Sequence, residues 1–540
     1  MTKIHQHPMN QNTSSHPKGL YVLYSTEMWE RFNFYGMRAL LSLFLVNALA
    51  YKQNEASIIY GGFLGLSYLT TMLGGYVSDR YLGNRNCIIL GGITMAIGQL
   101  LLFGSASTFM EGVETANLFM WSGLLFLILG NGFFKPNISS MVGQLYAKGD
   151  SRLDAAFTIF YMGINTGALL GMMICPWLGD VKVDGVRNLD AFKWGFLAAG
   201  SAMMIGTITF YFLKNKYLLK PDGQAVGLAP DFNKVQDSEE EEEEEEADKA
   251  DFTNKSIGIT LLIFTLLVYL FHILFLSEIA NPIKDWVYPV IYSAGISLAF
   301  LIMTDKTLTN IERQRIYVMY IISFFVIFFW SAYEQAGSSL TFIADQQTDL
   351  NFFGIELPPS SVQNANSFFI ILLAFPFSWF WIWMQKRGIE PNSPAKQAIG
   401  LMLLALGYLI IAIQVKDLGS QKLGVAWLFI MYLFHTMGEL CLSPIGLSLV
   451  AKLAPKRFSS LLMGVWFLAN AAGYALAGTL GALLPPVNAI ASGQFPSFLG
   501  MEIKNLYDFF MLFVIMAGIA SVLLYILASG PLKKMMHGIR

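Results

Sequence analysis

The chain has 540 residues, of which 55% are hydrophobic and 13% charged, and its mean hydropathy is +0.51. Soluble domains carry about 25% charged residues, so a soluble enzyme is excluded and a chain that crosses a membrane many times is indicated. The formal net charge is −2, and the basic residues sit in short loops between apolar runs, an arrangement that offers no surface to nucleic acid.

Residues 1–19 are polar, carry His5, His7 and His16, and contain no apolar core, so they read as a cytoplasmic tail and not as a cleavable signal. Six apolar runs follow at roughly 20–50, 56–79, 86–106, 117–146, 153–176 and 191–213. A polar linker over residues 214–256 contains an unbroken Glu run at 239–246, the composition of a solvated spacer. Two further runs lie at roughly 257–304, and six more at roughly 312–340, 362–385, 397–415, 424–451, 458–484 and 506–529, before a short tail. Cys87, Cys175 and Cys441 each fall inside an apolar run. They read as buried thiols, and nothing resembles a disulfide framework or metal site.

The six-two-six pattern predicts an all-α membrane protein of two six-helix bundles (20–213 and 312–529) with two inserted helices, fourteen spans in all. Basic residues such as Arg80, Arg85, Arg152, Lys214, Arg313, Arg387, Lys456 and Lys533 gather on one side of these spans. That bias predicts cytoplasmic termini and a cytoplasmic acidic linker. The fourth run holds Lys135-Pro136 and the tenth span of the twelve-helix core holds Ser443-Pro444, each followed by a basic turn. A mid-helix Pro removes a backbone hydrogen bond and bends the helix, so both can curve around a central cavity. Related halves of this kind are the usual architecture of secondary transporters.

Charge inside the apolar runs is the main functional signal. In the first run Glu27, Arg31, Tyr35 and Arg38 share one helical face, with Glu30 beside them. A charge at mid-bilayer costs about 2.5–3.5 kcal/mol on insertion scales, so this stripe must face protein or water. Lys135 lies roughly a dozen residues from the basic loop at about 1.5 Å per residue, too deep to snorkel; Glu27 and Glu30 are the expected partners. Lys and Glu can exchange a proton, whereas the Arg31 guanidinium stays protonated. The second half supplies isolated carboxylates, Glu334 and Glu439. Cationic groups in one half and lone carboxylates in the other would suit a zwitterion lying across the cavity. Arg38 and Glu334 are the expected bridge between halves. Gly74-Gly75-Tyr76-Val77-Ser78-Asp79-Arg80-Tyr81-Leu82-Gly83 resembles the loop signature of the major facilitator superfamily, and Asp79 and Arg80 are expected to latch the cytoplasmic end. His272 and His435 lie in separate spans without ligand or catalytic spacing.

Glu27-Met28-Trp29-Glu30-Arg31-Phe32-Asn33-Phe34-Tyr35-Gly36 resembles the ExxER helix of the proton-dependent oligopeptide transporter family. Phe133-Phe134-Lys135-Pro136-Asn137, Phe160-Tyr161 through Asn165 and Gly167, and Gly438-Glu439-Leu440 through Ser443-Pro444 are similar to its other signatures, in order. The resemblance implies a major facilitator fold in the inner (plasma) membrane and proton-driven uptake of di- and tripeptides by a monomer, without cofactor or catalysis. It implies that Glu27, Glu30, Arg31 and Lys135 form the proton-coupling set. Arg31, Tyr35, Tyr68, Lys135, Tyr161, Asn165, Trp330, Asn366, Glu439, Ser443 and Trp466 would hold substrate, and Arg38 with Glu334 would form an extracellular gate. The chain departs from the pattern at Phe34, Ser367, Ala336 and Tyr474, which bears on selectivity. A facilitator-fold carrier of another small solute, such as nitrate, a carboxylate or a drug, is the alternative.

Overall fold

The computed structural model of the chain describes residues 15–147, 150, 152–229, 252–276, 281–419, 421–487, 493 and 495–539. The His5 and His7 segment, the acidic run and Lys148 lie outside the described residues. His16, expected in a loose tail, instead has its Nδ1 2.9 Å from the Tyr146 hydroxyl.

The first bundle comprises α1 (Lys18–Asn47), α2 (Gln53–Val77), α3 (Gly83–Thr108), α4 (Val113–Gln144), α5 (Leu153–Gly179) and α6 (Phe192–Tyr217). The inserted pair is α7 (Asn254–Phe275) and α8 (Tyr288–Met303). The second bundle contains α9 (Asn310–Tyr333), the short α10 (Ser339–Gln347), α11 (Ala365–Lys386), α12 (Ser393–Lys416), α13 (Val425–Leu453), α14 (Ser459–Gly481) and α15 (Leu506–Ser529), and α16 (Pro531–Met535) ends it. Among the described residues twelve stretches are long and apolar enough to cross a membrane, one of them running through both α2 and α3. Counting α2 and α3 separately and adding α1, whose charges set it apart from the rest, gives the fourteen spans of the sequence reading.

Helix ends follow side-chain chemistry. Thr309 and Glu312 form a reciprocal capping box at the start of α9, and Asn392 and Asn505 accept from the free backbone N–H groups of α12 and α15. Where helices pack, small residues let backbones meet. A Cβ on Gly91 would lie 2.6 Å from the Gly130 carbonyl, and one on Gly98 2.9 Å from that of Gly123, which locks α3 against α4. Pro136 and Pro444 do fall inside α4 and α13, and Pro376 falls inside α11.

One expected span is broken. The run read as 312–340 leaves the α-helix at Tyr333, passes through a buried 3-10 turn over Glu334–Gly337 and restarts as α10. The Gly337 carbonyl is taken by the Ser42 hydroxyl of α1 at 2.5 Å instead of by the next helical turn. A side chain at Gly337 would collide with the Tyr60 hydroxyl. The break is therefore made by contacts with the other half.

The two bundles are tied together at the end opposite the termini. A hairpin with Asp184 and Gly185 at φ 52° and 78°, the geometry of a type I′ turn, pairs Lys182 with Arg187. Both reach Asp345 of α10: Arg187 makes a two-pronged bond at 2.9 and 2.8 Å, and Lys182 lies 3.2 Å away. Arg187 also bonds Asp180 at 2.8 Å, and Asp180 accepts from the backbone N–H and hydroxyl of Ser360 at 3.0 and 2.7 Å. Asn364 donates to the Leu169 carbonyl at 3.1 Å.

Candidate functional site

Between the bundles lies a cavity of about 260 Å³ lined from both halves. Tyr161 and Leu447, which line it on the side of the termini, are 38% and 40% exposed. The cavity is thus closed at the loops opposite the termini and open toward the termini.

The α1 stripe faces inward as expected. Arg31 Nε lies 2.6 Å from Glu27 Oε1 and 3.0 Å from Glu30 Oε2, and all three side chains are buried. Asn131 of α4 donates to Glu30 at 3.4 Å. Seven residues along α1, Arg38 meets Glu334 at 3.1 Å and rests 5.0 Å from the Tyr35 ring centroid. This is the expected bridge between halves, in its closed form. Removing one partner of such a buried pair costs about 3–5 kcal/mol, because the other charge is left without a counterion.

Lys135 is placed differently from expectation. Among the described residues it makes no ion pair with Glu27 or Glu30; its ammonium sits 3.6 Å from the centroid of the Tyr68 ring. Arg31 outcompetes it because it shares a helix with both carboxylates, one and four residues away, and needs no helix–helix approach. Lys135 therefore lines the cavity with its charge held by a ring face.

Across the cavity Glu439 accepts hydrogen bonds from the Tyr333 hydroxyl and from Asn366 Nδ2, the latter at 3.0 Å. Asn366 also donates to Thr436 at 3.0 Å. Glu439 is thus held by neutral donors, with no cation in ion-pair range among the described residues. Asn165 donates to the carbonyl of Tyr161 in its own helix at 2.9 Å, not across to another helix. Trp330 Nε1 and Ser443 Oγ are buried in the wall and make no hydrogen bond among the described residues.

Arg31, Tyr35, Tyr68, Lys135, Tyr161, Asn165, Trp330, Asn366, Glu439, Ser443 and Trp466 all line the cavity, as do Arg38 and Glu334. Glu27 and Glu30 sit one layer behind, reached through Arg31. Asp79 and Arg80 are exposed on the Ser78–Leu82 turn and form no ion pair among the described residues. The sequence reading missed Tyr333, Tyr432, His435 and Asn470 as lining residues. Tyr333 reaches the cavity beside Glu334 because the helix breaks there, which no local sequence signal announced.

Residues 85–495 match the POT family. The chain is 34% identical over 489 residues to the peptide transporter YePEPT of Yersinia enterocolitica, covering 88% of this chain and 89% of that one. It is 32% identical over 478 residues to the di-/tripeptide transporter of Lactococcus lactis, covering 85% and 88%. Among solved structures, a POT family transporter in complex with a thioalcohol-conjugated peptide superposes with a TM-score of 0.75 at 29% identity, over 96% of this chain and 97% of that one. The peptide transporter POT in complex with sulfate gives 0.75 at 28%, over 98% and 97%. The helical order, the two-bundle cavity and these matches agree, and the chain belongs to the POT family of multi-pass membrane transporters.

Proposed function

We propose that the chain is a proton-coupled symporter that imports di- and tripeptides by alternating access of its two bundles. The observation that carries this reading is the polarity of the cavity. Arg31 and Lys135 offer positive charge at one end, while Glu439, held only by neutral donors, offers an uncompensated carboxylate at the other. A peptide with free termini complements both ends. An anion has no use for Glu439, which weighs against a carrier of nitrate or simple carboxylates. Relatives that are dipeptide and tripeptide permeases, in Aliivibrio fischeri and Yersinia pestis, support the same substrate class.

Coupling falls to Glu27, Glu30, Arg31 and Lys135. Arg31 keeps its proton throughout, so a proton reaching Glu30 weakens its bond to Arg31 and frees the guanidinium for the substrate carboxylate. Tyr35, Tyr161, Asn165, Trp330, Ser443 and Trp466 complete the site. Arg38–Glu334 is the extracellular gate, and Asp79 with Arg80 engages when the cytoplasmic end closes. The working unit is the monomer, with cytoplasmic termini and halves at 20–213 and 312–529.

Proteoliposomes with an imposed inward proton gradient test this. The wild type is expected to concentrate labelled dialanine, and Glu30→Gln to lose concentration while keeping counterflow between equal pools. A Glu30→Gln protein that still concentrates dialanine refutes the coupling assignment. A wild type that moves no dialanine refutes the function.

A further inference from the structure

The aromatic wall beside Lys135 contains a feature the transport cycle does not call on. Tyr474 of α14 is 3% exposed and crosses from the second bundle to meet Tyr68 of the first, with ring centroids 4.8 Å apart. On its other side the Tyr474 ring lies 5.7 Å from the Trp330 ring, and the backbone at Gly473 is pressed against Trp330, where an added Cβ would lie 2.8 Å away. The ring is thus packed between Tyr68 on one side and Trp330 on the other. It occupies the cavity at the end where Lys135 is held on Tyr68. The remaining space, about 260 Å³, is below the range of about 300–1,000 Å³ usual for drug-sized ligands. Each residue of an extended peptide adds about 3.3–3.6 Å of length.

We propose that Tyr474 determines substrate length: its ring, wedged between Tyr68 and Trp330, closes the Lys135 end of the cavity, so that dipeptides are preferred over tripeptides. The proposal rests on the peptide reading above and narrows it. Lys135 and Arg31 then take the carboxylate of the second residue, and the Tyr474 ring crowds the place of a third, which enters at a cost.

The test is competition by unlabelled dialanine and trialanine against labelled dialanine in proteoliposomes holding the full chain. Wild type is expected to need at least about ten-fold more trialanine than dialanine for half-inhibition. Tyr474→Ala is expected to bring that ratio below about three. Tyr474→Phe, which keeps the ring and loses the hydroxyl, is expected to stay within about two-fold of the wild-type ratio. Equal competition by trialanine in wild type overturns the proposal even if no variant folds. So does an unchanged ratio in a Tyr474→Ala protein that binds dialanine, or a Tyr474→Phe ratio as relaxed as that of Tyr474→Ala. Failure of dialanine itself to compete in wild type would instead remove the peptide reading beneath it.

Discussion

Replacing Arg187 by Met keeps an apolar stem of similar reach and deletes the charge that joins Asp180 to Asp345. In the structure that guanidinium makes two bonds to Asp345, at 2.9 and 2.8 Å, and one to Asp180, at 2.8 Å. Truncating one partner of a buried hydrogen-bonded charge pair costs about 2–5 kcal/mol. The lower value applies here, because Lys182 remains 3.2 Å from Asp345 and Ser360 still donates twice to Asp180. The bonds to Asp345 cross between bundles, so parting the bundles at this end must break them, and their loss is expected to fall on the closed state alone. About 2 kcal/mol corresponds to about 30-fold in the open-to-closed ratio. A single reporter cysteine at Ser367, buried in the cavity wall, reads this ratio through its labelling rate with a membrane-impermeant maleimide added from outside. The native Cys87, Cys175 and Cys441 are buried and stay silent. Labelling should rise toward 30-fold while open molecules remain a minority. A rate within two-fold of the parent would refute the idea that this cluster holds the outer end shut.

Two further outcomes follow from single positions. Glu439→Gln keeps an acceptor for Tyr333 and removes the charge, so the preference for dialanine over N-acetyl-dialanine should fall from at least about ten-fold to near one in competition assays, with the loss in binding of the free peptide; retention of the preference would place the ammonium elsewhere. Gly74→Ala puts a Cβ 1.9 Å from the Gly132 carbonyl, whereas at Gly75 the nearest atom is 3.8 Å away. Overpacking of this kind costs about 1–3 kcal/mol, so the Gly74 variant should melt a few degrees lower in detergent while Gly75→Ala melts with the wild type.

The spans, the inward face of α1 and the two-sided cavity were legible because hydropathy and helical spacing are properties of a few neighbouring residues. What failed was competition between partners. Lys135 needed a carboxylate by the cost of a buried charge, yet Arg31 reached both candidates first, and a ring face served Lys135 instead. The break after Tyr333 was illegible for a related reason: the residues packed on Gly337 there, Ser42 and Tyr60, lie in the other bundle, Ser42 295 positions away in sequence. The cluster opposite the termini draws Asp180 and Arg187 from the α5–α6 connection, Asp345 from α10 and Ser360 from the 3-10 turn before α11, and no periodicity connects such positions.

The contact between α2 and α14 has a mechanical consequence. At Gly61 an added Cβ would lie 2.7 Å from the Gly478 Cα, and at Gly478 one would lie 2.8 Å from the Ser57 carbonyl, so here the two bundles touch backbone to backbone. Such a contact has the character of a fulcrum, since one helix can roll on the other with no side chain to unlock. Tyr288 of the inserted α8 ends on that same spot, donating to the Ile58 carbonyl at 2.9 Å with its hydroxyl against Gly478. The inserted pair is thereby fastened to the seam between the bundles, next to Tyr60 and the helix break at Gly337, so it can sense any roll of α2 on α14.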